Sequence, residues 1–208
     1  MLQDQNIKGF TLLELLVVIS IVALVSAIGM PNFMSWQKDR EVRTAAEKIA
    51  NAINMANTRT TNGSLEVVKI TFESTTSSTG SSTSVTTVGI DRKKFSDRLN
   101  QGLDVECKND ANWFTKTIDQ QTFSVATNLT KKSSICFSLR EKNYGTDGIF
   151  NGQQNINLEN SSNVTDKFIM ICRSGSGCPG KHSYLIEWTR FGNVNKFKWS
   201  KSGAWTRM

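Results

Sequence analysis

Histidine is almost missing from this 208-residue chain, with His182 standing alone. Zinc sites draw on Cys and His at short spacing, and none of Cys107, Cys136, Cys172 and Cys178 lies within four residues of another. No metal site is therefore expected. A Walker loop, a nucleophile elbow and paired carboxylates are missing too, which leaves no catalytic constellation and no cofactor to expect. His182, near Cys178 and Glu187, reads as a strand residue. The glycine-rich stretch Asn143–Gly152 holds Asp147 but not the alternating carboxylates of a calcium loop, so it reads as a turn. No internal repeat is visible.

Charge is missing from one long stretch. From Phe10 to Met30 the only charged residue is Glu14. About 21 residues of helix span ~32 Å, the thickness of a bilayer core. A carboxylate inside such a segment costs roughly 2.5–3.5 kcal/mol on insertion scales, and intramembrane acids usually have a function. Lys8 precedes the run, which places that end in the cytoplasm. A competing reading is a secretory signal cut after Val25-Ser26-Ala27. Against it stand the cost of Glu14 and the amphipathic continuation beyond Ala27.

An exported remainder fits the cysteines. Their even number reads as two disulfides with three possible pairings. Cys172 and Cys178 flank a short Ser/Gly-rich loop, which favours pairing them with each other and Cys107 with Cys136. Lys and Arg number 25 against 18 Asp and Glu, a net charge of +7. That balance admits nucleic acid, anionic lipid or an acidic neighbour as partner without choosing among them.

Beyond Pro31, which sits at a kink or helix boundary, the spacing of Val42, Ala45, Ala46, Ile49, Ile53 and Ala56 predicts an amphipathic helix. Asn62-Gly63 is its stop signal. Strands are expected at Leu65–Phe72, Val85–Ile90, Ser133–Leu139, Phe168–Cys172, His182–Phe191 and Val194–Trp199. The Ser/Thr run between the first two reads as a loop projecting into solvent. Gly192-Asn193 reads as a two-residue hairpin turn.

Lys8-Gly9 is followed by Phe10-Thr11-Leu12-Leu13-Glu14. Glycine, then Phe-Thr-Leu-x-Glu, then about twenty apolar residues with a proline at Pro31, resembles the processing signal of type IV pilins and of the pseudopilins of type II secretion. The resemblance implies that prepilin peptidase cuts between Gly9 and Phe10 and methylates the new amine of Phe10. It implies four segments: a leader (1–9), a transmembrane and assembly helix (10–30), the amphipathic half of the same helix (31–62) and a β-rich globular domain (63–208). The implied fold class is α+β, the pilin fold, with a long N-terminal helix packed on an antiparallel sheet. The implied partners are other pilins or pseudopilins, the peptidase and an inner-membrane assembly platform. The implied location is the bacterial inner membrane, single-pass with a periplasmic C-terminal domain, and then the pilus or pseudopilus. Glu14 of one subunit would neutralise the Phe10 amine of its neighbour, an ion pair of the kind that fixes register more than it stabilises.

The stretches RTAAEKIANAINMANTRTTNGSLEVVKITF, ICFSLREKNYGTDGIF and LIEWTRFGNVNKFKW resemble the GspH/FimT group, FimU-like minor pilins among them. This implies a minor pilin that primes assembly or decorates the tip. The alternative is a minor pseudopilin that drives protein export. Some members bind DNA through a Gly-Arg-x-Arg turn, but the matching Gly192-Asn193-Val194-Asn195 lacks both arginines. Lys196, Lys198, Lys201 and Arg207, interleaved with Phe197, Trp199 and Trp205, remain candidate DNA contacts. Strand alternation puts Lys196 and Lys198 on one face of their strand and the rings on the other, so the rings are expected in a core and the lysines on a solvated face.

Overall fold

The computed structural model describes residues 10–78, 80–108, 111–138, 146–147, 167–175, 177–189, 192–200 and 202–208. Gly9, Lys201 and most of the glycine-rich stretch 143–152 lie outside them.

Helix α1 (Leu12–Thr61) runs through Pro31 without a break. It ends where Gly63 adopts φ +69°, as the Asn-Gly stop predicts. The chain divides into two compact units at Lys38/Asp39. In the second unit, the α1 residues Val42, Ala45, Ala46, Ile49, Ile53 and Ala56 are all buried, and Ala50 joins them. This stripe packs on two antiparallel sheets.

The first sheet orders β3 (Lys116–Phe123), β2 (Gly80–Ile90), β1 (Val67–Ser77), β5 (Ser133–Ser138) and β6 (Thr146–Asp147). The second orders β10 (Trp205–Arg207), β9 (Val194–Trp199), β8 (Tyr184–Trp188), β7 (Lys167–Arg173) and β4 (Val125–Thr127). Val68, Ile70 and Phe72 from one sheet and Ile169, Ile171, Ile186 and Trp188 from the other meet the α1 stripe in one core. Each such side chain contributes about 1.5–3 kcal/mol when fully buried. The architecture is α+β, an N-terminal helix followed by antiparallel sheets, consistent with the pilin fold.

Short helix α2 (Arg92–Asn100) buries only Phe95. With the segment that follows it, α2 covers part of the outer face of the first sheet: Val67, Ile90, Phe95, Trp113 and Cys136 form a second cluster there. Both cysteine pairings are as the spacing suggests. Cys107 bonds Cys136 and Cys172 bonds Cys178, with Cα–Cα distances of 6.0 and 5.8 Å.

Two local expectations are corrected. The Ser/Thr run is strand rather than loop, because β1 and β2 continue through it in register to Ser77 and Gly80, while Glu73, Thr75, Thr76 and Ser77 stay exposed as expected. Side-chain hydroxyls add to the backbone ladder there. Thr75 Oγ1 lies 2.8 Å from Ser82 Oγ, Ser74 Oγ lies 2.6 Å from Thr127 Oγ1, and buried Thr83 donates to the Val125 carbonyl at 2.9 Å. Threonine suits a pleated sheet, and facing hydroxyls stabilise it pairwise. The β8–β9 connection is also longer than two residues, since Trp188 pairs with Val194. Gly192 closes it at φ +80°, where an added Cβ would run into the Asn57 side chain of α1.

Candidate functional site

The first unit presents an apolar surface on every side of its helix. Phe10 is 86 % exposed and Leu12 82 %, and Leu13, Leu16, Ile19, Val22, Val25 and Met30 are likewise exposed. A helix that is apolar all round normally lies buried in protein or lipid, so this one requires a covering that the described residues do not supply. Ser20, inside the run, donates its hydroxyl to the Leu16 carbonyl at 2.8 Å, which satisfies a group that apolar surroundings would otherwise penalise. Among the described residues no helix is long and apolar enough to cross a membrane. The stretch with described side chains, Leu12 to Ala27, is about 24 Å long, and the sequence continues it to Met30.

Glu14 has a local role that the sequence reading overlooked. Thr11 stands immediately before α1, and its Oγ1 accepts the Glu14 N–H at 3.2 Å. Thr-x-x-Glu is the capping-box spacing, a signal readable in the sequence. Its position in the first turn also sets the carboxylate where the helix dipole favours negative charge. Among the described residues no ion pair involves Glu14, so its charge is available to a group from outside the chain.

The basic tail is arranged differently from expectation. The register partners of Lys196 and Lys198 are Ile186 and Tyr184, whose face belongs to the main core. The lysine face of β9 is thus turned toward α1 rather than being an independent solvated face. Lys198 Nζ lies 3.6 Å from Asp39 Oδ2 of α1. The same carboxylate accepts from His182 Nδ1 at 2.9 Å and from the Tyr184 hydroxyl at 3.2 Å. His182 itself lies before β8 at φ +66°, not within the strand. Burial acts to raise the Asp39 carboxyl, but the His182 hydrogen bond and the Lys198 charge outweigh it and hold Asp39 below the usual carboxylate range. Burial, with Asp39 adding to it, lifts the Tyr184 phenol above its ordinary value. Arg207 donates to Asn195 Oδ1 at 2.8 Å. Phe197 and Trp205 are buried and Trp199 is half-buried, with the two tryptophan rings edge to face at 5.0 Å. These rings pack on the far side of the second sheet, which leaves Phe197 and Trp205 unavailable for stacking on bases.

Among the described residues no group of three or more His, Cys, Asp or Glu side chains is placed to hold a metal.

Residues 4–30 match the family described as the prokaryotic N-terminal methylation motif. Over 34 residues the chain is 50 % identical to the type IV wide pilus major component PilA4 of Thermus thermophilus. That alignment covers 16 % of this chain and 26 % of the relative, so the chain spans about a quarter of that protein's length. No solved structure matches the chain significantly.

Proposed function

We propose that this chain, which carries the N-methylation motif of type IV pilins ahead of an α+β body, is a minor subunit of a type IV pilus. Prepilin peptidase cuts between Gly9 and Phe10 and methylates the Phe10 amine. Phe10–Met30 holds the subunit in the inner membrane with its N-terminus cytoplasmic and the rest periplasmic. The assembly platform then lifts it into the filament among other pilins. Residues 31–62 continue the helix as its amphipathic half, and 63–208 form the domain displayed outside the filament core. The chain acts by packing rather than by catalysis.

One observation carries this reading: the all-round exposure of the apolar surface from Phe10 to Ala27. Lipid covers such a surface before assembly and neighbouring helices cover it afterwards. In the filament Glu14, which forms no ion pair among the described residues, pairs with the cationic Phe10 amine of an adjacent subunit and sets the register. The length of the body and its extended Ser/Thr hairpin support a minor subunit that primes assembly or decorates the tip, in adhesion, twitching or DNA uptake.

Glu14→Ala tests the mechanism. The variant is expected to be cleaved at Gly9 normally but recovered poorly in sheared surface filaments. Recovery at the wild-type level would refute the pairing role. Wild-type subunit confined to the periplasm would favour the rival reading, a minor pseudopilin of type II secretion.

A further inference from the structure

Between the apolar run and the charges beyond it lies a short stretch of a third kind. After Met30 the sequence reads Pro31-Asn32-Phe33-Met34-Ser35-Trp36-Gln37, and charge resumes only at Lys38, followed by Asp39, Arg40 and Glu41. The stretch mixes polar residues with large apolar ones and holds no ion. Helix α1 carries it without interruption. Phe33 is 61 % exposed and Trp36 55 %, and Met34 between them is exposed as well. Side chains three positions apart share one face of a helix. The two ring centroids lie 5.8 Å apart at a tilt of 38°, within the range in which aromatic rings attract each other.

Helix length says what meets these rings. The hydrocarbon core of a bilayer is about 30 Å thick, and the headgroup layers bring the whole to about 40–45 Å. Phe10 to Met30 covers about 32 Å of helix, and Trp36 lies about 9 Å further on. Membrane helices tilt by about 20° on average, and helical side chains lean toward the N-terminus. Both effects draw the Phe33 and Trp36 rings back toward the hydrocarbon boundary. Tryptophan collects at that boundary because its ring is apolar in body and polar at one edge.

We propose that Phe33 and Trp36 form an aromatic anchor in the headgroup layer on the periplasmic side of the membrane, seated among phospholipid glycerol and headgroups. The anchor rests on the reading of Phe10–Met30 as a membrane span. It continues that apolar surface by about two turns, into a layer whose mixed character matches the sequence there. A bundle of neighbouring helices fits these residues less well. It would have to bury Gln37, exposed beside the rings, and an amide taken from water costs free energy unless it is bonded. The headgroup layer is hydrated and asks no such cost.

Tryptophan quenching in the full chain tests the anchor. The chain is reconstituted in phosphatidylcholine vesicles whose acyl chains carry bromine either near the glycerol or near the methyl end. The signal of Trp36 is the difference between wild type and Trp36→Phe. It is expected to be quenched about twofold more by the shallow bromine than by the deep one, as a ring in the headgroup layer requires. Phe33→Trp in the Trp36→Phe background should show the same preference, and its absence would overturn the anchor as a ring pair. Ile19→Trp in that background reports separately on the span and should be quenched more by the deep bromine. An Ile19→Trp signal quenched by neither lipid would overturn the membrane span and the anchor with it. With Ile19→Trp quenched as expected, a Trp36 signal quenched by neither lipid would overturn the anchor alone and assign the rings to a protein neighbour. Equal quenching of Trp36 by both lipids, or more by the deep bromine, would overturn it by placing the rings in hydrocarbon.

Discussion

The two halves of helix α1 give the same residue types opposite fates. In the first unit Leu12, Leu16 and Val22 lie exposed, and apolar side chains point to every side. In the second unit the apolar residues keep to one stripe, and Ile49 and Ile53 are fully buried. Their angular distribution decides the outcome, not their hydrophobicity. A stripe can be completed by one surface, and the two sheets of this chain provide it. A full cylinder needs neighbours all round, which only lipid or a bundle of other helices supplies.

This contrast can be tested by making like substitutions on each side of it. Ile53→Ala should destabilise the folded domain by about 2–5 kcal/mol in urea unfolding. Leu16→Ala should change the same measurement by no more than about 0.5 kcal/mol, yet reduce recovery in filaments. Comparable losses of stability from the two would break the distinction.

A smaller effect should come from Asp39, where α1 meets the turn before β8. Its carboxyl is held below the usual range, so the stability it contributes is complete above the ordinary carboxylate pKa, about 3.9. That contribution is lost as pH falls through the lower folded value. His182, Tyr184 and Lys198 are the titratable groups bonded to it. Asp39→Asn should therefore be less stable than wild type at pH 7, with the gap closing below about pH 4. A gap that stays constant down to pH 2 would show that the charge on Asp39 contributes nothing.

Features with a local cause were legible in the sequence. The stripe from Val42 to Ala56, the stop at Asn62-Gly63 and the strand Val194–Trp199 follow from periodicity and turn chemistry, and the six-residue spacing of Cys172 and Cys178 fits their bond. Features settled by distant partners were not. The Ser/Thr run becomes strand because Thr127 and Val125 meet its hydroxyls. The turn at Gly192 is shaped by Asn57, and Lys198 is drawn to Asp39. Helix α2 escaped notice because Phe95 alone marks its buried side. Thr11 as the cap of Glu14 was readable from spacing, and was masked by the membrane question that Glu14 raises.

The account stands on the claim that Phe10 begins the working subunit. Mass spectrometry of the mature N-terminus tests this most directly. The account predicts a chain that begins at Phe10 with a methylated amine, and a chain that begins at Ile28 or retains Met1–Gly9 in assembled filaments would contradict it.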